Sequence, residues 1–260
     1  NITDMKDKVI FLDNVSKKFR IGHREEKKTA LSRVISFFSG KETKKDFWAL
    51  KDISFSVNTG ENIGIIGKNG SGKSTLLRVL AGVYEPSRGI IRTKGNVVCL
   101  MGLGQGLNYK LTMRENIYLM GSIMGLSQRD VKMKIGEIVD FSGLKEFFDT
   151  KVYQFSSGMI IRLNFSVMIH CLYHSKPDIL LLDEVFGSGG DIDFEEKAIK
   201  KMEELITGGT TVVLATHDLN IVEKYCDRVL WLDRGKIAKV GQAREIAEEY
   251  KRNVAGLAGA

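Results

Sequence analysis

The chain has 260 residues, 43% hydrophobic and 27% charged, with a formal net charge of +7 and three cysteines. That content buries a sizeable core in one large domain or one domain with a subdomain. No apolar run approaches the roughly 18 residues that span a bilayer, and the charged start from Asp4 to Lys8 is unlike a signal peptide, so the chain itself reads as cytoplasmic. Cys99, Cys171 and Cys226 are scattered in apolar stretches and read as reduced core thiols, which excludes a disulfide scaffold. The positive charge admits nucleic acid or an anionic membrane surface without choosing between them.

Val9 to Leu12 and Ile53 to Val57 are the first predicted strands, the second alternating with period two. Between them lie residues 21–47. At 100° per residue Ala30, Leu31, Val34, Ile35, Phe37 and Phe38 share one face of an amphipathic helix over 29–39. Basic clusters flank it, Arg24, Lys27 and Lys28 before and Lys41, Lys44 and Lys45 after, a pattern suited to anionic headgroups or a membrane partner. Packing of this apolar face on the chain's own core is the competing reading.

After the polar turn at Asn58-Thr59-Gly60, Gly64-Ile65-Ile66 ends a buried strand and Gly67-Lys68-Asn69-Gly70-Ser71-Gly72-Lys73-Ser74 fits GxxxxGK[ST] at every fixed position. Glycines let several backbone N–H groups converge on phosphate, and the helix from Lys73 points its positive dipole end the same way. Gly67, Asn69, Gly70, Gly72 and Thr75 are therefore candidate phosphate contacts, Lys73 reaches the β- and γ-phosphates, and the Ser74 hydroxyl is suited to Mg²⁺. The chain is expected to bind a nucleoside triphosphate.

Residues 90–100 continue in β-like segments, and 112–175 reads as a helical block with turns at Gly121, Gly125-Leu126-Ser127 and Ser142-Gly143. Strands return at 179–182, 211–215 and 228–232, and a helical tail begins at Ala243. This order describes an α/β nucleotide-binding core with an inserted helical subdomain at about 105–175. Ile179 to Leu182 ends in Asp183-Glu184, which places two carboxylates at the sheet edge where the phosphate loop lies. Asp183 is suited to Mg²⁺, and Glu184 to polarising the attacking water. His170, Cys171 and His174 lack further ligands nearby and read as packed or surface residues, not a metal site.

Phe155-Ser156-Ser157-Gly158-Met159-Ile160-Ile161-Arg162, together with Thr216-His217-Asp218 after the strand Val212 to Ala215, resembles the ATP-binding cassette (ABC) family. Its signature LSGGQxxR is altered here at Phe155, Ser157 and Met159, while Ser156, Gly158 and Arg162 hold. The likeness covers residues 8–242. It implies a P-loop NTPase core of ABC type with N-terminal antiparallel strands, ATP and Mg²⁺ as cofactors, and His217 as the switch histidine at the γ-phosphate. It also implies a head-to-tail homodimer, in which Ser156, Ser157 and Gly158 of one copy close on the nucleotide held by Lys73 of the other. Phe19 holds the family's usual adenine-stacking place, with Trp48 the other candidate. Gln105 stands for the glutamine loop, with a γ-phosphate and Mg²⁺ role, and Asp191 for the dimer-contacting loop.

Leu111 to Leu119, Tyr153 to Leu163 and Asp183-Glu184-Val185 are similar to the ATPase subunits of bacterial polysaccharide exporters. This implies a peripheral subunit on the cytoplasmic side of the inner membrane that powers export of a lipid-linked glycan, such as O-antigen or teichoic acid, through a transmembrane permease. Residues 243–260 are read as a tail without a carbohydrate-binding domain. Another transporter class is the alternative. A nucleic-acid ABC ATPase is disfavoured because no long heptad insertion splits the cassette, so no nucleic-acid partner is expected.

Overall fold

A computed structural model describes residues 7–22, 44–101, 106–184 and 192–258. The 29–39 segment, Gln105 and Asp191 lie outside these residues. Two sheets organise the described chain. A three-stranded antiparallel sheet has the order β2 (Lys44–Asn58), β1 (Lys8–Gly22), β4 (Arg88–Thr93). A six-stranded sheet has the order β5 (Val97–Met101), β6 (Ile179–Asp183), β7 (Thr211–Ala215), β3 (Asn62–Ile66), β8 (Arg228–Asp233), β9 (Lys236–Gln242), with only β9 antiparallel to its neighbour.

The central strands read as unbroken aliphatic runs because both of their faces are covered. In β6, Ile179 and Leu181 face a core shared with Ile10, Leu12, Ile53 and the helix α1 (Lys73–Leu80). Leu180 and Leu182 face the opposite core, with Phe165 and Leu172 of α4 (Ser157–Ser175) and Phe194 and Met202 of α5 (Ile192–Thr207). Each such side chain, fully withdrawn from water, contributes about 1.5–3 kcal/mol.

The helical block has its own core: Met113, Ile117 and Met120 of α2 (Met113–Ile123) meet Val131, Ile138 and Val139 of α3 (Gln128–Ser142) and Leu163 and Val167 of α4. Its boundaries are set locally. Capping boxes at Thr112/Glu115 and Ser127/Asp130 start α2 and α3, and Gly143, at φ 65°, ends α3. The turn expected at Gly121 is absent; Gly121 lies inside α2, where an added Cβ would stand 2.4 Å from a Val131 methyl. That glycine serves close helix packing. The tail forms α7 (Ala243–Ala258), which packs beside α6 (Leu219–Tyr225) through Ala243, Ile246 and Val222.

Parallel register places the candidate chemistry at one edge. Ile65 of β3 pairs with Ala215 of β7, and Ala215 pairs with Asp183 of β6. The segments leaving these strands are the phosphate loop, Thr216-His217 and Glu184, and they emerge side by side, as expected at the carboxyl edge of an open α/β sheet.

Candidate functional site

A cleft of about 580 Å³ lies at this edge. Asn69, Gly70, Gly72, Lys73, Ser74 and Thr75 form one wall, Asp183 and Glu184 another, and Phe47, Ala49 and Arg78 complete it. Three loop glycines have backbone reasons to be glycine: φ is 151° at Gly67, 78° at Gly70 and 112° at Gly72. At Gly67 a Cβ would also lie 2.2 Å from the Leu232 carbonyl oxygen.

Lys73 is buried, and its ammonium donates to the Gly67 carbonyl at 2.8 Å and the Lys68 carbonyl at 3.4 Å. Burial lowers its proton affinity from the ordinary lysine range, while Glu184 and Asp183 pull it back up. Ser71 Oγ is buried and has no hydrogen-bond partner among the described residues. Glu184 sits at φ 51°, in the left-handed region, its amide donating to the Ala215 carbonyl at 2.9 Å. This turns the chain sharply at the carboxylate. Its Oε1 stands 3.4 Å from His217 Nδ1, and the side chain is half exposed. The cleft thus combines an anion cradle, a cation and two carboxylates, which is the equipment of phosphoryl transfer.

Other residues singled out from the sequence lie elsewhere. Phe19 does not line the cleft; its ring packs edge-on against Tyr84 at 5.3 Å, under the Lys17 ammonium. Trp48 is flanked by Lys18 and Arg88. The aromatic residue that reaches the cleft is Phe47, 49% exposed and the cross-strand partner of Phe19. Sequence reasoning missed it, although it adjoins Trp48. Arg78, one turn after Ser74 on α1, was also missed; the i, i+4 spacing is the available signal.

Ser156 caps α4, its Oγ accepting from the Met159 amide at 3.3 Å, and none of Ser156, Ser157 and Gly158 lines the cleft. A Cβ on Gly158 would meet only Ser156 Oγ, at 4.0 Å. Arg162 donates to the Ser142 carbonyl at 2.8 Å and lies over the Phe194 ring. His170 Nδ1 donates to the Ser166 carbonyl at 2.7 Å, and His174 stands 3.8 Å from Asp130. Burial raises the Cys99 and Cys171 thiols to about 11 and Cys226 to about 12, far from reactive thiolates.

Fold and cleft together define a P-loop nucleoside triphosphatase. The sequence model of the ABC transporter family matches residues 50–187, and the chain belongs to that family, as an ATP-hydrolysing cassette. An O-antigen export system ATP-binding protein of Klebsiella pneumoniae is 37% identical over 95% of this chain and 99% of its own length. A protein of the same description from Myxococcus xanthus is 39% identical over 94% of this chain, which spans 56% of that relative's length. A dimeric structure of an ATP-binding cassette in a post-hydrolysis state, bound to ADP and Pi, superimposes with a TM-score of 0.66 at 22% identity, covering 90% of this chain and 99% of that one. Among the described residues no helix is long and apolar enough to cross a membrane.

Proposed function

We propose that this chain powers export of a lipid-linked polysaccharide through a separate transmembrane subunit, as a peripheral ATPase on the cytoplasmic face of the membrane. The observation that carries the reading is the convergence of phosphate loop, Asp183 and Glu184 in one cleft, in a chain that aligns along the full length of an O-antigen export subunit. Backbone N–H groups of residues 67–74 hold the β- and γ-phosphates, and Lys73 exchanges the Gly67 carbonyl for phosphate oxygen. Phe47 takes the base-stacking role expected of Phe19.

The Ser74 hydroxyl and the Asp183 carboxylate share the cleft and are the hard oxygen donors that Mg²⁺ takes. When bound, Mg²⁺ neutralises phosphate charge. Glu184 accepts the proton of the water that attacks the γ-phosphorus, and His217, beside it, contacts the γ-phosphate.

The signature segment supports a head-to-tail homodimer, because Ser156, Ser157 and Gly158 form a capped helix start away from the chain's own cleft. A second, more apolar groove of about 600 Å³, lined by Val98, Leu100, Met120, Ile123 and Met124, supports docking of the transmembrane subunit, and Ile123 is 68% exposed there.

Glu184→Gln should keep ATP binding and lower turnover about 10²–10⁴-fold; turnover within about tenfold of the parent would move the base to another residue. In the complex reconstituted with its transmembrane subunit, lipid-linked glycan should stimulate the ATPase and DNA should not. Length-dependent stimulation by DNA would overturn the export reading.

A further inference from the structure

The β8–β9 hairpin turn at Arg234-Gly235 touches the phosphate loop from behind and takes no part in the chemistry assigned so far. Its two central residues have φ of 46° and 78°, the positive pair that a two-residue type I′ turn requires. The Gly235 amide donates to the Ser71 carbonyl at 2.9 Å, and the Gly235 carbonyl accepts from the Lys51 amide of β2 at 2.7 Å. One residue therefore joins the phosphate loop, through its amide, to the strand that carries Phe47, through its carbonyl.

The junction has no spare room. A Cβ on Gly235 would lie 2.5 Å from the Ala49 carbonyl oxygen, and a Cβ on Gly72 would lie 2.8 Å from that same atom. Gly67, at the other end of the loop, is pressed as closely against the Leu232 carbonyl of β8. Backbone approaches under 3 Å cannot be relieved by a rotamer change, so extra volume at 235 has to move either β2 or the turn itself, and with the turn the Ser71 carbonyl that its amide holds.

We propose that Gly235 is a positioning residue for nucleotide binding: it sets the distance and angle between the phosphate loop and the base-stacking strand without touching the nucleotide. The proposal rests on the reading of the cleft as the nucleotide site. Displacement of one wall by a fraction of an ångström misaligns phosphate and base together, and misplacement on the 1 Å scale costs up to about 10²-fold.

Three variants and one measurement on the parent protein test it. Gly235→Ala should raise the KM for ATP about tenfold or more with kcat changed less than about threefold. Gly235→Asn should behave alike, because asparagine tolerates the left-handed backbone but still carries the Cβ that meets Ala49. Gly209→Ala is the control: it has φ of 86° with nothing within 4 Å of the new Cβ, so it strains the backbone far from the cleft and should lower Tm with KM unchanged. Recovery of the parent KM in Gly235→Asn, or an equal KM increase in Gly209→Ala, overturns the proposal. In the parent protein, hydrogen exchange of the Gly235 amide should slow about tenfold on ATP binding, as the Ser71 carbonyl becomes fixed. Unchanged exchange with ATP bound overturns the positioning role alone, whereas failure of the parent to bind ATP overturns it together with the reading of the cleft.

Discussion

At the start of α1, Gly67, Gly70 and Gly72 hold φ values of 151°, 78° and 112°, and Cβ atoms at Gly67 and Gly72 would collide with the carbonyls of Leu232 and Ala49. At the start of α4, a Cβ on Gly158 would meet only Ser156 Oγ, at 4.0 Å. Both helices are entered through small residues, yet glycine is required by the chain's own backbone only at the first. The contrast teaches that the glycines of the phosphate loop answer to the chain's own backbone, whereas Gly158 of the signature has no such reason within the chain. In the proposed dimer a second copy of the chain supplies that reason.

The comparison breaks most visibly in mixing experiments. Lys73→Ala should lose ATP binding, since the ammonium faces the phosphate charge. Ser156→Arg should bind ATP nearly as well as the parent but hydrolyse none, since in the proposed dimer its helix start faces the nucleotide of the other copy. Mixing the two should restore up to one working site per dimer; no activity at any ratio, with both variants folded and associating, sinks the head-to-tail arrangement. A smaller effect sharpens the same contrast. Gly72→Ala should cost about 1–3 kcal/mol of stability by denaturant titration, while Gly158→Ala should fall within about 0.5 kcal/mol of the parent and show its defect only in turnover.

The smallest expected effect lies in the helical block. Burial lowers the proton affinity of His170, with the Ser166 carbonyl and Glu137 opposing and Lys134 and Lys201 adding to the shift, so the unfolded chain binds this proton more readily than the folded one. Stability should therefore decline as pH falls below about 6.5 and level off once the folded form is protonated too. Denaturation midpoints of His170→Gln should show a shallower decline over that interval.

Most of the fold was legible because its signals are local. The phosphate loop is a contiguous motif, and aliphatic runs such as Ile179 to Leu182 announce a strand covered on both faces. What escaped depends on pairing across the chain. Phe19 and Phe47 are cross-strand partners, and the intervening insertion hides which ring reaches the cleft. The apolar stretch at 90–100 resolves into two strands in different sheets, β4 beside β1 and β5 beside β6, a division that composition does not encode. Gly121 carried a turn signal because a glycine demanded by an approaching Val131 methyl is identical in sequence to one demanded by φ.

The bond from Lys73 to Gly67 holds a buried ammonium on a backbone oxygen of the loop itself. Part of its desolvation is settled when the chain folds, so in the proposed binding mode a phosphate oxygen replaces a backbone oxygen at a donor already held in position. The contribution of Lys73 to affinity should therefore be steep in ligand charge: strong for a triphosphate, and too weak for a lone uncharged ribose to displace the carbonyl it already holds.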